Sequence, residues 1–121
     1  MSGRILGVIP SRWGSTRFPG KSLALIGGRP LLAWVVERAR QARRLDGILV
    51  ATDDVRIASA AREFGAEVAM TRPDHPSGTD RIAEAIRDRD AGVVINIQGD
   101  EPLIDPGLVD RVAGALADES G

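Results

Sequence analysis

The sequence predicts an α/β protein built on a mostly parallel sheet, and three observations lead there. Short apolar runs at residues 5–9, Gly47–Thr52, Glu67–Met70 and residues 93–98 recur along the chain. Between them lie stretches whose apolar residues repeat at helical spacing, the pattern of strands joined by crossover helices. Polar glycine-bearing loops follow the first and last of these runs, where an open α/β sheet keeps its ligand crevice.

Each element has its own signal. The run 5–9 reads as a first strand, and Pro30 opens the first helix, a position that tolerates the missing N–H. Leu31, Leu32, Val35, Val36 and Ala39 form that helix's apolar face, with Trp34 on a flank. Arg38, Arg40, Arg43 and Arg44 crowd its C-terminal end, where cations complement the dipole. Gly47–Thr52 is the second strand, after which Asp53 or Asp54 caps a helix carrying Val55, Ile57, Ala58, Ala61 and Phe64 and stopped by Gly65. Capping is favoured over metal binding for these two acids. Glu67–Met70 is a short third strand. Ser77 and Asp80 then open a helix in the manner of a capping box, with Asp in place of Glu, ahead of Ile82 and Ile86. Residues 93–98 form a fourth strand, and Asp105-Pro106 starts a last helix with Leu108, Val109, Val112 and Leu116 as its apolar face.

Composition narrows the function classes. A chain of 121 residues supports one domain with a modest core, and its 43% apolar and 27% charged residues are ordinary for a globular fold. Trp13, Phe18, Trp34 and Phe64 are the only aromatics, so the core is aliphatic. The net charge of −1 leaves no footprint for bulk nucleic-acid binding. The absence of cysteine excludes a disulfide framework, a thiolate zinc site and a cysteine nucleophile. No apolar run reaches membrane-spanning length and the N-terminus enters a strand without a signal-peptide pattern, so a cytoplasmic protein is expected.

Two loops carry the chemistry. Pro10-Ser11-Arg12-Trp13-Gly14-Ser15-Thr16-Arg17-Phe18-Pro19-Gly20-Lys21 follows the first strand at once. Its glycines free backbone N–H groups, and Arg12, Arg17 and Lys21 add charge-assisted donors, the makings of a polyphosphate loop. The spacing matches neither a Walker A loop nor the dinucleotide fingerprint. The second loop, Asn96-Ile97-Gln98-Gly99-Asp100-Glu101-Pro102, sets two carboxylates just past a strand end, where Mg²⁺ is held by one or two acids plus substrate phosphates.

With Ala51-Thr52-Asp53-Asp54, Met70-Thr71-Arg72 and His75-Pro76-Ser77-Gly78-Thr79-Asp80-Arg81, these blocks stand in an order that resembles the 3-deoxy-manno-octulosonate (KDO) cytidylyltransferases, or CMP-KDO synthetases. The resemblance runs from about Ile5 to the end of the chain. Small departures are Ser11, where the family usually has Ala, and Ser22, where it usually has Pro. Members have roughly twice as many residues, against the 100–200 of a common domain. The resemblance therefore implies the CTP-binding part of a cytidylyltransferase over residues 1–121, with the C-terminal half absent, in a truncated Rossmann-like three-layer nucleotidyltransferase fold. The sugar-acid pocket, a second metal aspartate and much of a homodimer interface are expected in that absent half, and the chain alone is expected to form no CMP-KDO.

The implied reaction transfers CMP from CTP to KDO with release of pyrophosphate, as in lipopolysaccharide biosynthesis, with Mg²⁺ as cofactor. Another 2-keto or amino-substituted sugar acid is the alternative acceptor, and a non-catalytic CTP/Mg²⁺ module the alternative class. The resemblance assigns Arg12 and Lys21 to the β- and γ-phosphates, Arg17 as a third cation, and Asp100 as metal ligand. Pro10 and Ser11 are expected to offer backbone groups near the base or ribose. Gln98, Thr71, Arg72, Ser77 and Gly78 are expected around cytosine, since they supply the needed donors and acceptors. Arg81 is set to reach either phosphate or sugar acid. His75, the lone histidine, is open to a role as base, as sugar-acid contact or in structure, with the structural role favoured, and is not counted as catalytic.

Overall fold

The computed structural model describes residues 4–14, 20–75, 77–87, 89, 91–99 and 105–120. Its elements, in chain order, are β1 (Ile5–Pro10), a 3₁₀ turn (Lys21–Leu23), β2 (Leu25–Ile26), β3 (Arg29–Pro30), α1 (Leu31–Arg40), β4 (Gly47–Thr52), α2 (Val55–Glu63), β5 (Glu67–Met70), α3 (Gly78–Ile86), β6 (Val93–Asn96) and α4 (Pro106–Ser120). The main sheet has the order β5-β4-β1-β6, and every pairing in it is parallel.

That order explains the layers. The chain steps from β1 to β4 and on to β5 in one direction, then returns past β1 to β6. Right-handed crossovers put helices from opposite directions of travel on opposite faces. Accordingly, α1 and α2 pack on one face, joined there by α4, and α3 covers the other. On the first face Ile5, Ile9, Ile48, Val50 and Ile95 meet Leu32, Val35, Ile57, Val109 and Ala113. On the second, Leu6, Val8, Leu49 and Ala51 meet Ile82 and Ala85. Alternate residues of β1 and β4 thus fill two cores, as the two-residue strand period requires. The expected three-layer α/β architecture is what forms.

Three expectations need correction. The segment before α1 holds a hairpin, β2–β3, that the strand pattern did not reveal. Its turn residues Gly27 and Gly28 have φ of 60° and 82°, which only glycine adopts readily, and paired positive φ suits a two-residue hairpin turn. The fourth strand ends at Asn96 rather than Gln98. Pro30 ends β3 and occupies the cap position of α1, one residue before its first turn.

The last helix also turns its face differently. Val109 and Ala113 are buried, whereas Leu108, Val112 and Leu116 remain 51%, 40% and 38% exposed. The short Ala113 side chain lets α4 come close along that line, which leaves the broader 108/112/116 row facing outward. No helix among the described residues is long and apolar enough to cross a membrane.

Local chemistry fixes the helix ends. Asp54 caps α2 by accepting from the N–H groups of Arg56 and Ile57. The Arg56 guanidinium holds the Asp54 carboxyl below the usual carboxylate range, and the two backbone bonds act in the same direction. Gly65 turns the chain left-handed (φ 85°) just beyond the helix. Ser77 caps α3 through the Asp80 N–H at 3.2 Å, while its hydroxyl donates to Asp80 Oδ2 at 2.8 Å. This is one half of the expected capping box.

Replacing the α2 cap, Asp54→Ala, is expected to lower stability by about 0.5–2 kcal/mol in urea unfolding at neutral pH. A carboxyl with a depressed folded pKa stabilises only while ionised. Its contribution is therefore complete above the ordinary carboxylate range and lost as pH falls through the depressed value. The gap between parent and variant should close in acid; a gap that stays constant down to acid pH would contradict the capping role.

Candidate functional site

Pairing of β1 with β4 continues past the strand, through Ser11 N–H to Ala51 O at 2.8 Å. Pairing with β6 stops sooner, at Ile97 N–H to Val8 O. Gln98 and Gly99 then leave the ladder and pass close beside Pro10, near enough that a Cβ on Gly99 would stand 3.0 Å from Pro10 O. The boundary between β1 and β6 is also where the strand order reverses, the place where open α/β sheets bind ligands.

Two adjoining cavities occupy this boundary. One, of about 280 Å³, is lined by Pro10, Ser11, Arg12, His75, Ser77, Gly78, Arg81 and Gln98. The other, of about 400 Å³, shares Pro10, Ser11, Arg12 and Gln98 and adds Lys21, Ser22, Leu31 and Gly99. The four shared residues make them one crevice with two ends. Eight of the residues proposed from sequence line it: Pro10, Ser11, Arg12, Lys21, Ser77, Gly78, Arg81 and Gln98. Arg17 and Asp100 lie outside the described residues.

Thr71 and Arg72 stand behind the wall rather than in it. Arg81 is buried, with only 3% of its surface exposed. Its Nη1 donates to Thr71 Oγ1 at 2.5 Å and to Arg72 O at 3.0 Å. Asp53 Oδ1 lies 3.9 Å from the same nitrogen. A buried guanidinium needs such partners, because removing it from water unpaired is expensive. The Arg72 side chain points the other way, to Asp74, with contacts of 3.1 and 2.8 Å. That pair is exposed, and the Arg72 guanidinium holds the Asp74 carboxyl below its ordinary range.

Ser77 and Gly78 contribute at the N-terminus of α3. The Ser77 hydroxyl is engaged in its cap, and Gly78 packs against the Pro10 ring, where a Cβ would approach Cγ to 3.3 Å. His75, which lines the cavity, is held by Glu84: Nε2 lies 2.5 Å from Oε1, and the same oxygen accepts from Arg72 N–H at 3.0 Å. The Arg72 N–H, followed by the His75 bond, lowers the Glu84 pKa. Glu84 sits in the last turn of α3 with no motif to mark it, so the sequence alone gives it no role.

At the other end, the basic loop is anchored by residues on both sides of it. The hydroxyls of Ser11 and Ser22, both buried, hydrogen-bond to each other. These are the two positions at which the sequence departs from the resembled pattern, and each hydroxyl satisfies its counterpart. Trp13 N–H donates to Asp53 Oδ1 at 3.2 Å, and Gly20 N–H donates to Trp13 O at 2.8 Å. Asp53 thus touches the loop on one side and Arg81 on the other. Of the two acids expected to cap α2, Asp54 is the one that does so. Among the described residues no three His, Asp or Glu side chains gather as a metal cluster.

The crevice therefore offers a lysine at one end, a buried, donor-only guanidinium at the other, and an arginine and a planar amide shared between them. Residues 6–120 match the cytidylyltransferase family. A 3-deoxy-manno-octulosonate cytidylyltransferase of Solibacter usitatus is 53% identical over 98% of this chain and 47% of its own length. One from Bdellovibrio bacteriovorus is 51% identical over 96% of this chain and 47% of its own. The solved structure of a CMP:2-keto-3-deoxy-manno-octonic acid synthetase complexed with CTP superposes with a TM-score of 0.91. It is 44% identical and is matched over 97% of this chain and 48% of its own. The chain spans about half the length of the curated relatives it matches, and it belongs to the cytidylyltransferase family.

Proposed function

We propose that the β1–β6 crevice binds CTP, and that the longer protein represented by the relatives transfers CMP from CTP to KDO with release of pyrophosphate. One observation carries the reading: a single crevice has Lys21 at one end and Arg81 at the other, with Arg12 and Gln98 lining it throughout. Cytosine presents acceptors at O2 and N3 and a donor at N4. The Gln98 amide can both accept and donate, and Arg81 can only donate. Uracil, with N–H at position 3 and an acceptor at position 4, would leave buried groups unmatched.

Arg12 and Lys21 then face the β- and γ-phosphates. The sugar acid's anomeric hydroxyl forms its bond to the α-phosphorus as the bond to pyrophosphate breaks. The two cations offset charge growing on the departing pyrophosphate and hold the chain of phosphates in line. Asp100 follows the Gln98-Gly99 turn, and a hard carboxylate there has the donor chemistry that suits Mg²⁺. The ion, when bound, would supply charge neutralisation on the triphosphate. KDO is favoured as acceptor because the relatives near 50% identity carry that name. The exposed row Leu108, Val112 and Leu116 supports association of the longer protein through α4 or its surroundings.

Calorimetry of the 121-residue chain with CTP and UTP in Mg²⁺ tests the reading. CTP is expected to bind more tightly, and Gln98→Ala to lose about 1–3 kcal/mol of CTP affinity and narrow the margin over UTP. Equal binding of the two nucleotides by the parent would contradict the base assignment. In a second arm, Asp100→Asn is expected to abolish the Mg²⁺-dependent gain in CTP affinity with circular dichroism unchanged. A gain equal to the parent's would remove Asp100 as the ligand.

A further inference from the structure

We propose that Arg56, stacked on Trp13, is a positioning residue for the phosphate end of the crevice. The inference rests on the reading that Arg12 and Lys21 receive phosphates. These two cations are far apart in a loop and must converge on one ligand. Trp13 directly follows Arg12, and Gly20 directly precedes Lys21, so whatever fixes Trp13 against Gly20 fixes the spacing of the cations.

Four contacts do so. Gly20 N–H donates to Trp13 O at 2.8 Å. Gly20 has φ of 71°, and a Cβ there would fall 2.7 Å from Trp13 Cη2, so the indole lies against the glycine backbone. Trp13 N–H donates to Asp53 at the start of α2. The Arg56 guanidinium then lies over the indole, its Cζ 3.3 Å from the ring centroid.

Arg56 cannot readily swing off the ring. Its Nε and Nη2 donate to the two oxygens of Asp54 at 3.0 and 2.8 Å, a forked arrangement that fixes the plane of the guanidinium. The entry to α2 thereby presents Asp53, Asp54 and Arg56 together as a bracket for Trp13. Because the Arg56 charge is matched by Asp54, its effect on phosphate comes through placement of the loop rather than through direct attraction. Its side chain is 55% exposed, so removing it leaves the core intact.

Trp13 and Trp34 are the two tryptophans, and Trp34→Phe leaves Trp13 as sole reporter. In that background, Arg56→Gln is compared with Arg56 and Arg56→Lys for acrylamide quenching of Trp13. Binding of CTP, inorganic tripolyphosphate and cytidine is measured alongside. Arg56→Gln is expected to increase quenching and to weaken CTP and tripolyphosphate roughly 3- to 10-fold while cytidine affinity stays constant. Arg56→Lys is expected to recover part of both effects. Unchanged quenching, unchanged tripolyphosphate affinity (absent binding included), or equal losses for cytidine and CTP would overturn the proposal. A parent that binds tripolyphosphate but does not distinguish CTP from UTP would instead sink the cytosine reading and leave this one standing.

Discussion

Strand β1 is bonded along both edges, to β4 on one side and β6 on the other, and the rest of the structure depends on that double pairing. Helices cover both faces of this central strand, which is why Leu6, Val8 and Ile9 have no exposed surface and why the two cores meet across it. It also forces the chain to reverse its direction of travel across the sheet. The reversal sends α3 to the face opposite α1 and α2 and leaves the strand ends of β1 and β6 uncovered by a common crossover. The segments leaving β1 and β6 therefore meet in one crevice without any need for sequence proximity.

Much of this is legible in the chain. Gly47–Thr52 and Glu67–Met70 emerge with the bounds expected, because each is an apolar run cut off by residues that favour turns or caps. The α1 face is buried as its spacing requires. Strand order left no local trace, since parallel partners are distant in sequence and any apolar strand can lie beside any other. The α4 face was misjudged for a related reason: periodicity defines an apolar stripe, but neighbouring elements decide which line of it is covered. The β2–β3 hairpin is different. Gly27-Gly28 was a readable turn signal, outweighed by strands too short to show alternation.

The site divides in the same way. Arg12, Lys21, Gln98, Gly78 and Arg81 were legible because each belongs to a compact motif at a strand or helix end. What holds them was not. Asp53 links Trp13 to the vicinity of Arg81, and Glu84 joins His75 to the Arg72 backbone, through contacts 9 to 40 residues apart in sequence. Ser11 and Ser22 looked like two unrelated departures until their hydroxyls were found bonded to each other. Buried polar groups need partners, so an isolated departure at one position implies a compensating one nearby.

The central claim is that one crevice at the β1–β6 boundary holds base and phosphates together, and titration of the isotope-labelled chain with Mg²⁺·CTP, followed by nuclear magnetic resonance, tests it most directly. Amide signals of Ser11, Arg12 and Lys21 should shift together with those of Gly78, Gln98 and Gly99, along one saturation curve. Signals of Val68, Ala69 and Arg87, which line a separate cavity of about 450 Å³ between β5 and α3, should stay in place. Shifts concentrated at that second cavity, or confined to one end of the crevice, would contradict it.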